Sequence, residues 1–253
     1  MTPLALRRSY VESTPRERIE ALADPATFRE ILDPFARCSS PYLAEQSIVA
    51  QSDDGVVAGR ARLDGRDVGA LAVDGRFLGG SIGEVGGAKI ARVLERARDG
   101  AFLLLDTGGI RLQEANLGLL AVAEICDAIV ALRERAPVVA VIAGRVGCYG
   151  GMSIAASLCS QIIMSPVGRF GLNGPEVVEQ EAGIEELDAH DRPAIWQATG
   201  GARRVAQGHA DVLVEDDLDE IARALRAAFA AAPNRERCSL ERLAQRFSEE
   251  APA

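Results

Sequence analysis

The feature that most constrains this fold is a set of three short apolar runs at residues 101–105, 137–142 and 161–164. Uninterrupted apolar runs of this length are typical of strands that are buried on both faces of a sheet. Each run follows a stretch with a helical pattern, at residues 83–98, 112–129 and 150–160. The first of these stretches precedes the first strand. This alternation predicts an α/β fold in which crossover helices join parallel strands.

The helix between the first two strands has the clearest periodicity. Apolar residues recur in it at alternating spacings of three and four: Leu112, Ala115, Leu119, Val122, Cys126 and Ile129. Such spacing predicts a single apolar face against the sheet. We predict further helices around 175–180, 193–199 and 218–231. The polar residues 233–253 form either a loosely attached helix or a tail.

Two of the predicted strands lead into a glycine pair that opens a helix, Gly108-Gly109 and Gly150-Gly151. A missing Cβ lets a ligand approach the backbone, and the first N–H groups of a helix have no partner inside it. Two such turns on neighbouring parallel strands can direct N–H groups at one oxygen, as in an oxyanion hole. The alternative is that these glycines serve packing alone.

The capping signals in residues 1–47 predict a helical lead-in to the main domain. Thr14-Pro15-Arg16-Glu17 has the spacing of a capping box, and Asp24-Pro25 repeats the pattern of a cap followed by proline. We therefore predict two short helices here.

An antiparallel meander is predicted from residue 48 to about 77. This segment alternates β-branched and small residues, and aspartate-glycine pairs interrupt it at 54–55, 64–65 and 74–75. Each pair can form a tight hairpin turn. The sequence has no internal repeat and no low-complexity linker, so we expect a single domain over 1–253.

Charge and composition exclude several functions. The 28 basic and 37 acidic residues give a net charge of −9, without a basic stripe, which argues against binding to nucleic acid or anionic membranes. No apolar run approaches the ~18 to 20 residues of a membrane span. The five cysteines form no C-x-x-C motif, and His190 and His209 are isolated, so neither disulfides nor a metal site is predicted. We expect a cytoplasmic protein.

Four ordered blocks then carry a family resemblance. They are Gly79-Gly80-Ser81-Ile82-Gly83-Glu84 with Gly87-Ala88-Lys89-Ile90, Thr107-Gly108-Gly109-Ile110-Arg111-Leu112-Gln113-Glu114, Gly144-Arg145-Val146-Gly147-Cys148-Tyr149-Gly150-Gly151-Met152-Ser153, and Gly171-Leu172-Asn173-Gly174-Pro175-Glu176. Together they resemble the acyl-CoA carboxyltransferase branch of the crotonase superfamily, and within it the β subunits of biotin-independent malonate decarboxylases. The likeness extends from about residue 13 to residue 217.

The resemblance implies a crotonase-like ββα spiral with N-terminal helices and a C-terminal helical extension. It also implies decarboxylation of a malonyl thioester to an acetyl thioester and CO₂. The implied partners are a homologous γ subunit, an acyl carrier subunit and the α subunit that transfers the carrier. The carrier would hold a CoA-like prosthetic group of the phosphoribosyl-dephospho-CoA type, and this chain would hold neither metal nor biotin.

The same resemblance implies the oxyanion donors, and the residues near them provide the other candidates. The backbone N–H groups of Gly108, Gly109, Gly150 and Gly151 would stabilise the oxyanion. Candidate sources of the proton are Tyr149, Ser153, Cys148, water or a partner subunit. The candidate contacts to substrate or prosthetic group are Gly79, Gly80, Ser81, Lys89, Arg111 and Arg145. For Lys89 and Arg145 the alternative is a solvated surface. For Arg111 it is capping and surface pairing, as against fixing the Gly108-Gly109 loop.

Two other functions stay open. A biotin-dependent carboxyltransferase subunit would share the fold, but such relatives usually have alanine where Ile110 stands, and the four-cysteine zinc module of bacterial acetyl-CoA carboxylase β subunits is absent here. The only lysine, Lys89, lacks the Met-Lys-Met context of a biotin carrier. The third hypothesis is a noncatalytic scaffold subunit.

Overall fold

The computed structural model describes residues 7–49 and 54–231, whose strands form one seven-stranded sheet in chain order. The strands are β1 Arg29–Glu30, β2 Val56–Leu63, β3 Arg66–Val73, β4 Ala101–Leu104, β5 Val138–Ile142, β6 Gln161–Met164 and β7 Val212–Leu213. The first three strands pair antiparallel. From β3 to β7 every neighbouring pair is parallel. The prediction of parallel strands joined by crossover helices is therefore confirmed.

Most of the helices lie where the sequence patterns predict them. They are α1 Pro15–Leu22, α2 Pro41–Glu45, α3 Glu84–Arg96, α4 Asn116–Arg133, α5 Gly151–Leu158, α6 Pro175–Ala182, α7 Arg192–Thr199, α8 Gly201–Ala206 and α9 Leu218–Ala230. The short helices α2 and α8 were not predicted at these positions. No helix in the described ranges is long and apolar enough to cross a membrane.

Two apolar cores lie on opposite faces of the sheet. Leu103 points into the core covered by α3, α4 and α5, whereas its neighbours Phe102 and Leu104 point into the core covered by α1 and α9. Successive side chains of a strand point to opposite faces, so a run buried on both sides must be apolar throughout. This explains why the central strands read as uninterrupted apolar runs.

The N-terminal segment confirms one capping signal and contradicts the other. Helix α1 begins after Thr14, and the reciprocal bonds between Thr14 and Glu17 form the predicted capping box. No helix starts at Asp24, so that prediction is wrong. The Asp24 carboxylate instead accepts the N–H groups of Asp64 and Gly65, at 3.0 and 2.9 Å. Its hydrogen bonds stabilise a hairpin turn 40 residues away.

Only one of the three predicted hairpin turns exists, and the structure has a hairpin where a meander was expected. Asp64 and Gly65 have φ values of +50° and +77° and connect β2 to β3. The pairs at 54–55 and 74–75 instead flank the open end of this hairpin, where the Asp74 N–H donates to the Gly55 carbonyl at 2.8 Å. Residues 50–53 lie outside the described ranges.

The buried face of α4 also differs from the prediction. Leu112 and Leu119 are 83% and 55% exposed, whereas Ile125 and Ile129 are fully buried. The helix begins only at Asn116, after a 3-10 turn that changes the register of the earlier residues. The predicted face therefore fails at Leu112 because it spans this break, whereas Leu119 lies inside the helix on its exposed side. The predicted tail at 233–253 lies outside the described residues, and the single domain over 1–253 stays a prediction.

Candidate active site

The two glycine turns lie side by side at the carboxyl ends of β4 and β5. The Thr107 N–H donates to the Gly147 carbonyl at 2.7 Å, and the Tyr149 N–H donates to the Thr107 carbonyl at 3.0 Å. These bonds continue the parallel pairing beyond both strands. Because the pairing continues, Gly108-Gly109 and Gly150-Gly151 are brought together as the sequence predicts.

Glycine is required here by the closeness of the two backbones. Gly109 has a φ of +110°, and a Cβ at this position would lie 2.9 Å from the Tyr149 carbonyl oxygen and 3.0 Å from the Gly150 Cα. Gly150 has a φ of +59°, and its Cβ would lie 3.3 Å from the Gly109 Cα. A side chain at either position would therefore strain the backbone and push the turns apart.

The N–H groups of the first turn differ from the expectation. Gly108 donates to the Gly79 carbonyl at 2.8 Å. Gly109 donates to the Thr107 hydroxyl at 3.0 Å. Neither N–H points at an open position, so the structure corrects their prediction as free donors. The next N–H along the chain, that of Ile110, has no acceptor among the described residues.

The second turn contains one free predicted donor. Gly150 donates to the Leu172 carbonyl at 2.7 Å, which corrects its prediction as a free donor as well. The Gly151 N–H begins α5 and has no acceptor within residues 7–49 and 54–231. The Ile110 nitrogen lies 3.9 Å from the position that a Cβ on Gly150 would occupy. Gly109 and Gly150 are the residues at which the two turns touch. The amides without an acceptor among the described residues, those of Ile110 and Gly151, belong to the next residue of each turn.

A third glycine turn supports the first one from outside. Gly79 and Gly80 have φ values of +64° and +67°, and a Cβ on Gly80 would overlap the Asp106 carbonyl. The Ile82 N–H donates to the Gly109 carbonyl at 2.8 Å. Gly79 therefore contacts the backbone of the first glycine pair, Gly80 lies against Asp106 and Thr107 just before it, and the Ser81 carbonyl binds the Arg111 side chain just after it.

Tyr149 and Ser153 lie in the second turn but have protein partners. The Tyr149 ring is buried, its hydroxyl lies 3.5 Å from the Thr199 Oγ1, and burial raises the pKa of this phenol. The Ser153 hydroxyl donates to the Gly150 carbonyl at 2.7 Å. Both hydroxyls therefore contribute to the structure of the turn.

Lys89 does not reach the surface, which corrects its prediction as a contact for a prosthetic group. Only 3% of the residue is exposed. Its ammonium lies 3.2 Å from the Asp54 carboxylate and donates to the Val56 carbonyl. The solvated alternative is wrong as well, because the amine is fully enclosed.

Arg145 and Arg111 have opposite environments. Arg145 is exposed and pairs with the equally exposed Glu12, beside a cavity of about 380 Å³ that Arg18 and Arg76 also line. Arg111 is 1% exposed, so surface pairing is excluded and it cannot touch a substrate directly. Its guanidinium bonds to the Ser81 carbonyl at 2.7 Å, which favours the alternative that it fixes the loop.

Sequence reasoning missed Asp106, which connects the second turn to β4. Its carboxylate accepts the Val146 N–H at 2.7 Å and the Gly147 N–H at 3.3 Å. Burial raises the pKa of this carboxyl, although the nearby Arg18 and the two N–H donors oppose the shift. An aspartate directly after a buried strand was the available signal.

A small group of potential ligand atoms was also missed at the surface. Glu179, Asp188 and His190 bring one donor atom each within 4.8 Å of one another. Both carboxylates already accept backbone N–H groups, of Ala189 and His190, each at 2.7 Å. The group therefore organises its own loop. His209, the other histidine, contacts Arg204 at 2.9 Å.

Exposed apolar side chains lie on the segments that form this site, whose Ile110 and Gly151 amides have no acceptor in the described part of the chain. Leu112, Ile154 and Leu172 are 83%, 52% and 60% exposed. Each belongs to a segment that builds the site: the turn after Arg111, the first turn of α5, and the loop whose carbonyl binds Gly150. Large exposed apolar residues on adjoining segments are typical of interaction surfaces.

Comparison with known proteins decides the family. The carboxyl transferase domain matches residues 8–247. The chain belongs to this family. It is 40% identical to the malonyl-S-ACP:biotin-protein carboxyltransferase MADC of Malonomonas rubra, over 83% of this chain and 72% of that protein.

Solved structures of this family agree. A chain of the Pseudomonas malonate decarboxylase hetero-tetramer, solved in complex with malonate, superimposes with a TM-score of 0.92 at 52% identity, covering 98% of this chain and 94% of that one. The MdcD-MdcE hetero-dimer of the Pseudomonas enzyme gives a TM-score of 0.77 at 46% identity, covering 98% of each chain. The family fold confirms the crotonase-like α/β prediction.

Proposed function

We propose that this chain is the component of a malonate decarboxylase that decarboxylates a malonyl thioester. The similarity to Pseudomonas malonate decarboxylase chains over almost the entire length supports this assignment. The observation that carries the chemistry is the contact between the two glycine turns, next to which the N–H groups of Ile110 and Gly151 have no acceptor among the described residues.

Loss of CO₂ from a malonyl thioester leaves an enolate, so negative charge develops on the thioester oxygen. Preorganised N–H donors stabilise this charge more than they stabilise the neutral carbonyl, and that difference accelerates the reaction. One donor of this kind typically contributes about 3 kcal/mol, or roughly a hundredfold or more in rate. We assign the two donors to Ile110 and Gly151, in place of the four glycines expected from sequence. The positive end of the α5 dipole, at Gly151, adds to the effect.

The site must also orient the leaving carboxylate. The breaking bond must stand out of the thioester plane so that its electrons pass into the carbonyl π system. The proton that converts the enolate to the acetyl thioester comes, in this proposal, from water or from the partner subunit. Tyr149 and Ser153 are less suitable, because their hydroxyls lie against Thr199 and Gly150.

A homologous γ subunit closes the site in this proposal. The exposed Leu112, Ile154 and Leu172 would lose their contact with water under such a partner, while the free amides beside them would become shielded. Hydrogen bonds to an oxyanion are stronger in a site from which water is excluded. The Pseudomonas relatives are a hetero-tetramer and a hetero-dimer, which supports a heteromeric assembly.

The thioester would arrive on a CoA-like prosthetic group of an acyl carrier subunit, loaded by a transferase α subunit. Lys89 cannot meet the phosphates of that group because it is buried. Arg145 is exposed and remains a candidate for this contact. The chain itself would hold neither metal nor biotin, and the decarboxylation would need only the amide donors and a proton source.

A second candidate is transfer of the malonyl carboxyl group to a biotin protein. It is favoured by the 40% identity to the Malonomonas rubra carboxyltransferase, whose name describes that reaction. Both reactions pass through the same enolate and give the same acetyl thioester. They differ only in the acceptor of the carboxyl group.

The test is an assay of the chain co-purified with its γ-type partner and a malonyl-loaded carrier. We expect release of CO₂ that avidin does not inhibit. Avidin-sensitive turnover would identify the biotin-dependent reaction. A complex that assembles but turns over no malonyl thioester would leave the scaffold hypothesis.

A further inference from the structure

Four charged side chains are buried together behind the first glycine turn. Asp54, Lys89, Arg111 and Glu114 are each 3% exposed or less. They form two ion pairs, Lys89 with Asp54 at 3.2 Å and Arg111 with Glu114 at 3.0 Å. Two positive and two negative charges balance, so the cluster is neutral in the interior.

Stability alone does not explain this cluster. Removing charges from water is costly, and apolar residues of equal volume commonly stabilise a core as well as a buried ion pair does. A buried network of hydrogen bonds does, however, restrict its partners to one arrangement. The segments that the network joins therefore indicate its role.

The Arg111 guanidinium joins the first and third glycine turns. It donates to the Ser81 carbonyl at 2.7 Å and to the Asp54 carbonyl at 2.8 Å, while it pairs with Glu114. Its own backbone N–H donates to the Ile82 carbonyl at 2.9 Å. Side chain and backbone of one residue thus bind both ends of the segment from Ser81 to Ile82.

Glu114 connects the Arg111 guanidinium to the start of α3. Its second carboxylate oxygen accepts the Glu84 N–H, which opens α3, at 2.6 Å. Gly83 has no Cβ, and any Cβ there would overlap this carboxylate. The carboxylate therefore sits between the start of α3 and the guanidinium, and it sets the direction in which Arg111 points.

We propose that Arg111, oriented by Glu114, is a positioning residue that fixes the neighbouring Ile110 N–H as an oxyanion donor. This inference rests on the proposed function. Ile110 directly precedes Arg111, and its N–H has no acceptor among the described residues. Both residues that flank it are hydrogen-bonded to the segment from Ser81 to Ile82. A guanidinium that binds three acceptors at once fixes a peptide plane in a way that a single charge cannot.

Arg111→Lys tests the geometry, because lysine keeps the charge but not the planar fork. The variant is assayed in the assembled complex by formation of the acetyl thioester, which both candidate reactions yield. A displacement near 1 Å costs on the order of 100-fold in rate. We expect kcat to fall by about that factor, with KM changed less than about threefold. Glu114→Gln, which keeps an acceptor oxygen, should show a smaller loss of the same kind.

The matched control is the double variant Lys89→Met/Asp54→Asn, which removes the other ion pair and leaves the Asp54 carbonyl in place. It should keep kcat within about threefold, even where its Tm falls as much as that of Arg111→Lys. A nitronate thioester that mimics the enolate should bind Arg111→Lys more weakly by the same factor as kcat. An unreactive analogue of the ground state should bind both variants equally.

The outcomes are distinguishable. A folded Arg111→Lys complex with unchanged kcat refutes the positioning role, and so does a kcat loss in the control that matches the loss in Arg111→Lys. If Arg111→Lys does not fold, Glu114→Gln with unchanged kcat and unchanged nitronate affinity refutes it. A wild-type complex that forms no acetyl thioester refutes the proposed function instead.

Discussion

Replacing Gly109 by alanine probes the contact between the two turns most directly. The new Cβ would lie 2.9 Å from the Tyr149 carbonyl oxygen and 3.0 Å from the Gly150 Cα. Carbon contacts are optimal at about 3.5 to 4.0 Å, so the turns must separate by about 0.5 to 1 Å. The φ of +110° adds backbone strain on the order of 1 to 3 kcal/mol.

We expect a loss of catalysis in a variant that still folds. Ile110 follows Gly109 directly, so separating the turns displaces one N–H donor from the other. Misplacement of this size costs on the order of 100-fold in rate. We therefore expect kcat to fall by about 100-fold in Gly109→Ala, while the chain still co-purifies with its partner. Initial rates of CO₂ release and a thermal melt of the same complex measure both effects.

Gly183→Ala is the matched control for backbone strain. Gly183 has a φ of +97°, but a Cβ there meets no atom within 4 Å. This variant should lose a similar amount of stability and keep kcat within about twofold. A folded Gly109→Ala complex with kcat within threefold of wild type would refute the role of the turn contact.

Three further outcomes are expected. Leu112→Asp, on the surface that the γ-type partner is proposed to cover, should weaken co-purification with that partner, as measured by size-exclusion chromatography, whereas Leu213→Asp on the edge strand β7 should not. Equal retention of both variants would contradict the interface. Tyr149→Phe should keep kcat within about threefold in the CO₂ assay, because the phenol is buried beside Thr199, and a loss of 100-fold would instead make Tyr149 the proton donor. The hydrogen bond from Gly65 lowers the pKa of Asp24 below its ordinary 3.8, so its stabilisation is present above that pH and lost as the pH falls through the lowered pKa. Asp24→Ala should therefore lower the free energy of unfolding at pH 7 by about 1 kcal/mol, with a lower Tm. This loss of stability relative to wild type should become smaller below pH 4. A loss that is constant with pH would show that the charge is not involved.

The sequence by itself determined the central sheet and the pairing of the glycine turns. Strands buried on both faces must be apolar throughout, so β4, β5 and β6 could be read directly from their runs. The capping box at Thr14 and the hairpin turn at Asp64-Gly65 are local devices, and they were predicted within a residue or two. Neighbouring parallel strands also bring their carboxyl ends together, which placed both glycine pairs in one site.

Only the tertiary structure decided which amides of that site are free. The acceptors of Gly108 and Gly150 are the carbonyls of Gly79 and Leu172, about 30 and 20 residues away in the chain, and no local pattern encodes them. The same holds for the burial of Lys89 and Arg111, since a charged residue on a helix or turn is usually solvated. A hydrogen-bond partner supplied by another segment depends on how the segments pack. The four glycines could therefore be predicted as the place of the site. The packing of the three turns was needed to select Gly151 among them and to add Ile110 as the second proposed donor.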